Sequence, residues 1–227
     1  ALTLEILERN RDAMSIIGSL NNFIWAEGEP FDAMRIVDDP TISLYCLDEE
    51  HQWAIFVVLP DEVDLSRVPF VYQAQFDHAQ SLIAVPYSEF YELADTMTID
   101  PQAMIWIHNI GRCWSTLMSQ ALNEIDDVVC LSEPDAIANF VSLRYMESQQ
   151  RNHLLEATVK MLFRPAIVGD ATRYVIKLRN QCTDIMDVFI DAFPRAKHLF
   201  MYRNVIDWLS SFHRLRAKHH VPRPQFT

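Results

Sequence analysis

From Met104 onward, apolar runs of strand length alternate with amphipathic stretches of helix length, and this alternation constrains the fold more than any other feature of the chain. MIWIHNI reads as a strand, STLMSQALNEI as a helix and DVVCLSEP as a strand. After a long helical stretch from about Ala136 to Phe163, YVIKL is a strand, TDIMDVFIDAF a helix, HLFMYRN a strand and DWLSSFHRLRA a helix. Apolar strands separated by helices predict βαβ units, hence an α/β fold with a parallel sheet flanked by helices. Ligands of such sheets bind beyond the carboxyl ends of the strands.

The first 97 residues read differently. Leu4, Leu7, Met14, Ile17 and Leu20 stand at spacings of three, four or seven, which predicts an amphipathic helix over residues 3–20. Asp38 to Pro40 punctuate the chain. Period-two strands are then expected at Ile42 to Cys46 and Trp53 to Leu59 around a charged turn at Asp48 to Glu50, at Phe70 to Phe76 and at Ser81 to Val85, with a helix near Ser88 to Met97. We divide the chain into a small acidic α+β module at 1–97 and an α/β core at 98–227.

The formal charge of −12 argues against a nucleic-acid partner, which requires a basic face. Residues 1–100 hold four Arg, no Lys and 19 carboxylates, whereas 101–227 hold 15 basic and 12 acidic side chains. Toward the end, Arg195, Lys197, Arg203, Arg214, Arg216, Lys218 and Arg223 face Asp207 alone, a bias suited to a small polyanion. No apolar run approaches the roughly 20 residues that span a bilayer. The four cysteines form no CxxC pair and have no histidine at metal-ligand spacing, so reduced thiols and a cytoplasmic location are the expectation. The chain begins at Ala1 rather than Met, which leaves an upstream leader or anchor open.

Two segments carry chemistry. In HNIGRCWSTLMSQALNEI, His108 to Ile125, a strand ends, a tight turn carries an arginine, and a Ser-Thr pair opens a helix. Free N–H groups at a helix start, the positive end of its dipole, two hydroxyls and a guanidinium together make anion-binding architecture. A Walker loop would need GxxxxGK[ST], and no lysine precedes Ser115. In FPRAKHLFMYRNVIDWLSSF, Phe193 to Phe212, a strand ends in Arg203 and Asn204, and Ser211 follows two turns into the next helix. Both can reach one doubly charged phosphate.

The first segment resembles the 5′-phosphosulfate loop of the sulfotransferases that use 3′-phosphoadenosine 5′-phosphosulfate (PAPS), written PKSGTT, RSGSS or GRxGSTLL. The second resembles the 3′-phosphate motif of the same P-loop-like superfamily, including its FP-x-AK lead. The resemblance covers roughly residues 104–216. It implies a P-loop-like sulfotransferase core that binds donor through Arg112, Cys113, Trp114, Ser115, Thr116, Leu117, Arg203 and Ser211. It also implies metal-free, in-line transfer of the sulfuryl group to a hydroxyl or amine of a small-molecule acceptor, releasing adenosine 3′,5′-bisphosphate. Trp114 departs from the pattern, standing where these families have glycine, and a bulky residue there needs a negative φ or some strain. Because these enzymes continue well past the second motif, the resemblance further implies a core incomplete at its C-terminal end.

Between the motifs, Glu133 in LSEPD ends a strand at the same sheet edge and is the candidate base for the acceptor's proton, with an ion pair to Arg112 or Lys177 as its structural alternative. Lys177 would neutralise charge on the transferring group, and His108 is the alternative base. Asp170, His213 and the His219-His220 pair are given no role. The rival readings are a nucleotide kinase or NTPase with a P-loop, and a non-catalytic nucleotide-binding scaffold of the same fold. Neither the acceptor nor the oligomeric state can be read from these residues.

Overall fold

The structure, a computed structural model, describes residues 1–11, 17–169 and 171–218, with the side chains of 216–218 left aside. Met14, Asp170, His219, His220 and Arg223 therefore lie outside the described residues, as do the side chains of Arg216 and Lys218. Two sheets form an α/β protein, one antiparallel and one parallel, with helices flanking them.

The antiparallel sheet contains β1 (Leu2–Arg9), β2 (Phe23–Pro30), β3 (Ile42–Asp48), β4 (Trp53–Val58) and β5 (Ser81–Pro86) in the order β2-β1-β5-β4-β3. Helices α1 (Arg35–Asp38), α2 (Val71–His78) and α3 (Tyr87–Asp95) accompany it. Three expectations fail here for physical reasons. Residues 3–20 do not begin as a helix. Leu2, Leu4 and Ile6 also alternate at period two, and pairing with β5 through Leu4↔Leu82 and with β2 through Ile6↔Trp25 selects the strand. Phe70 to Phe76 is a helix rather than a strand, burying Val71, Ala74 and Gln75 at helical spacing. The Gln75 amide also donates to the Leu44 carbonyl (2.8 Å) on β3. Finally, β2 was not expected, because Gly28 and Pro30 interrupt its alternation.

The parallel sheet contains β6 (Met104–Asn109), β7 (Val128–Ser132), β8 (Arg173–Lys177) and β9 (Lys197–Met201) in the order β7-β8-β6-β9. The chain leaves β6 through α4 (Ser115–Leu122), passes over β8 to β7, and returns through α5 (Asp135–Ala138) and α6 (Ser148–Val168) to β8. It then follows α7 (Met186–Ala192) to β9 on the far side of β6, and α8 (Val205–Lys218) comes last. The strand order thus reverses at β6, a switch point that opens a crevice outside the carboxyl ends of β6 and β9. The expected long helix from Ala136 to Phe163 is broken, because Met146 and Glu147 turn extended. Glu147 then caps α6 by accepting the Gln150 N–H (3.0 Å).

One buried cluster runs through both sheets. It joins Leu44, Phe56 and Ile83 of the antiparallel sheet to Phe90 on α3, Leu155 and Phe163 on α6, and Trp106, Ile176 and Phe189 around the parallel sheet. Leu4, Phe23, Cys46, Ile55 and Leu82 fill the other face of the antiparallel sheet. Ile107, Cys130 and Val175 pack under Met118 and Leu122 of α4. Among the described residues no helix is long and apolar enough to cross a membrane.

Candidate functional site

The loop between β6 and α4 is fixed at both ends. Asn109, fully buried at the end of β6, donates to the Leu178 carbonyl (2.6 Å) and accepts the Gly111 N–H (2.9 Å). From the other side, the Trp208 indole on α8 donates to the carbonyls of Ile110 (3.3 Å) and Gly111 (3.1 Å). Within the loop, Gly111, Arg112 and Trp114 have φ of 69°, 56° and 69°. Three left-handed residues within four positions bend the chain sharply ahead of α4. Trp114 takes the N-cap position in the left-handed conformation and offers no side-chain cap, so the first N–H groups of α4 are left to another acceptor.

The two motifs meet at this loop. Arg112 donates from Nε to Ser211 Oγ (3.1 Å), and Arg203 donates from Nη1 to the Arg112 carbonyl (3.4 Å). Arg112, Trp114, Ser115, Thr116, Leu117, Arg203, Ser211 and Arg214 line one cavity of about 370 Å³. Of the residues expected at a donor site, Cys113 alone does not line it, its side chain being buried. Arg214, one of the basic residues toward the end of the chain, is not among the residues expected at a donor site. Its signal was its position three residues after Ser211, one helical turn along the same face of α8. With the helix dipole and three hydroxyls, three guanidinium groups give the cavity the donors and charge to hold a small polyanion.

Next to the cavity, Lys177 is buried with its Nζ in an ion pair with Glu133 Oε1 and 3.5 Å from Thr116 Oγ1. Glu133 follows β7 with φ of 58°, and its N–H donates to the Lys177 carbonyl (2.7 Å). Side chain and backbone thus hold the pair together, and Lys177 rather than Arg112 is the partner. The arrangement extends inward through residues not anticipated from the sequence. Arg179 lies 3.9 Å from Glu133 Oε2, forms an ion pair with the buried Asp135 and stacks 4.1 Å from the Tyr72 ring centroid. Asp135 also accepts the Gly18 N–H (2.6 Å) and faces Arg11 at 3.4 Å. Burial pushes the Asp135 carboxyl above its ordinary range, against the pull of Arg179. Tyr72 and Phe70, whose ring faces Lys177 at 5.6 Å, bring α2 of the antiparallel half over this end of the parallel sheet.

His108 goes elsewhere. It points to the α7 face of β6, stacked on His198 of β9 with ring centroids 5.3 Å apart and 3.0 Å between Nε2 and the His198 Nδ1. Burial, with His198 adding to it, pushes His108 down from its ordinary 6.5 to about 4. It does not line the cavity. Among the described residues no group of His, Cys, Asp and Glu could hold a metal ion.

Fold and site together define an α/β protein with an arginine-lined cavity beside the loop that follows β6 of its parallel sheet. No family model matches the chain, and neither the curated proteins nor the solved structures include a match.

Proposed function

We propose that this protein is a PAPS-dependent sulfotransferase with a P-loop-like core. The observation that carries the reading is the convergence of two motifs 99 residues apart, Arg112 and Ser211, on one arginine-lined cavity. A donor with a phosphate at one end and a phosphosulfate at the other needs two adjacent anion cradles. Arg203, Ser211 and Arg214 make one, and Arg112, Ser115, Thr116 and the start of α4 make the other. The strand order β7-β8-β6-β9, with the loop after the strand where the order reverses, supports the same reading.

In the proposed reaction an acceptor hydroxyl or amine attacks sulfur in line. The new bond to sulfur forms as the bond to the bridging oxygen of the phosphosulfate breaks, and adenosine 3′,5′-bisphosphate leaves with that electron pair. Glu133 takes the acceptor's proton, and Lys177, beside Thr116, balances charge on the transferring group. His108 is left a structural role by its burial on the α7 face. The four cysteines are free and buried, which supports a reducing, cytoplasmic setting.

Adenosine 3′,5′-bisphosphate is expected to raise the melting temperature, and Arg203→Ala to remove the shift. A wild-type protein that does not respond would reject the donor site. A response to magnesium-ATP alone would favour a nucleotide kinase. A bisphosphate response without sulfate transfer to a panel of phenols, alcohols and amines would favour a non-catalytic scaffold.

A further inference from the structure

A second cavity, also about 370 Å³, lies where the two halves of the molecule meet. Its walls are mostly apolar, with Ile42 of β3 and Leu59 just beyond β4 on one side, Val129 and Leu131 of β7 opposite, and Met161 of α6 closing it. Pockets of this size at a junction between substructures are the usual sites of small-molecule binding. This one is separate in composition from the arginine-lined cavity, and the two share no lining residue.

Its singular feature is Arg164, which lines it and is only 1% exposed. The guanidinium is anchored through Nη2 to the carbonyls of Asp39 (2.7 Å) and Ile42 (2.5 Å), on either side of the wall segment 40–41. Its other terminal nitrogen, Nη1, is buried without a hydrogen-bond partner, and the side chain makes no ion pair with a described carboxylate. Burying a guanidinium with two carbonyl acceptors and only the nearby charge of Asp39 to offset desolvation is costly, and an unpaired N–H adds to the cost. The nearby carboxylates are otherwise engaged or exposed. Asp39 accepts from the Thr41 N–H (2.9 Å) and hydroxyl (2.6 Å), Asp64 faces Arg67 at 3.4 Å and accepts from Ser66, and Asp61 is exposed at the rim.

We propose that this cavity binds a monocarboxylate with an apolar body, its carboxylate toward Arg164 and its chain against Val129, Leu131 and Met161. The volume suits a ligand of about twelve non-hydrogen atoms, taking water's share of liquid volume as the measure, and a medium-chain fatty acid fits that description. Such a ligand matches the surface on both counts, giving the buried cation an anion and the walls a hydrocarbon. Because it bridges β3, β7 and α6, its occupancy would also clamp the two halves together.

The test is calorimetric titration with decanoate and with decan-1-ol, both below their aggregation limits. Decanoate is expected to bind one per chain, at least about tenfold more tightly than decanol, as a charge-assisted contact requires. Arg164→Met keeps an unbranched apolar stem without the guanidinium and is expected to abolish that preference. Val129→Phe fills the cavity and is expected to abolish binding of both probes while leaving the adenosine 3′,5′-bisphosphate response intact. Should Arg164→Met fail to fold, the two probes on the wild type and Val129→Phe still decide. Equal affinities for the two probes on the wild type, no binding of decanoate, or decanoate binding that survives Val129→Phe would each overturn the proposal.

Discussion

Trp114 sits at φ 69° and ψ 13°, a conformation that costs a residue with a Cβ about 1–2 kcal/mol. Glycine would remove that strain at about 0.5–1 kcal/mol of extra unfolded-state entropy. Trp114→Gly is therefore expected to stabilise the protein by up to about 1 kcal/mol in urea unfolding, and to tighten bisphosphate binding by letting ligand approach the backbone. Glu133→Gln belongs to the same scale. It is expected to lower the proposed sulfate transfer by about 10² or more while the bisphosphate-induced melting shift stays, since Glu133 does not line the arginine-lined cavity. Turnover at the wild-type rate would remove Glu133 as the base. Arg112, Ser115 and Arg203 were legible in the sequence because each sits just past a strand end or at a helix start, where the backbone itself dictates direction, and Ser211 because it stands two turns into the helix that follows Arg203. Asp135, Arg179 and Tyr72 were not, because their contacts are made between segments far apart in the chain, as with Asp135 and Gly18. No local pattern encodes such a meeting.

At the scale of elements, β6 and β8 were readable because they are buried and apolar for most of their length, while the exposed β9 was marked by its position between two helical stretches. Leu2–Arg9 and Val71–His78 were not, since a handful of apolar residues satisfied period two and helical spacing alike and a neighbouring strand or carbonyl made the choice. The pairing of β6 with β9 carries its own pH dependence. In the folded protein His108 titrates near 4 instead of its ordinary 6.5, so above 6.5 it is neutral in both states and costs nothing. As pH falls below 6.5 the unfolded chain takes up a proton that the folded one refuses, and stability falls until about pH 4. The expected loss is about 3 kcal/mol, with His198, also pushed down by burial, acting in the same direction. Urea midpoints measured between pH 7 and 4 check this, and His108→Phe is expected to flatten the profile.

At the scale of the molecule, the continuity of the buried cluster matters most. Phe90 of α3 packs 6.1 Å from Phe56 of β4 and belongs to the same cluster as Trp106 and Ile176 of the parallel sheet. Phe90→Ala is expected to cost about 3–5 kcal/mol and to speed hydrogen exchange in β6 and β8 together with β4. Exchange that quickens in the antiparallel sheet alone would mean that the halves unfold separately. The distribution of tryptophan across this body has a practical consequence. Trp106 is sealed in the core, Trp25, Trp53 and Trp208 are half-buried, and Trp114, 67% exposed, is the one that lines the arginine cavity. The residue that disturbs the loop is thus also its lamp. Against four shielded indoles, the solvent-exposed, red-edge part of the emission comes chiefly from the mouth of the site, and whatever enters there announces itself in the fluorescence without any added label.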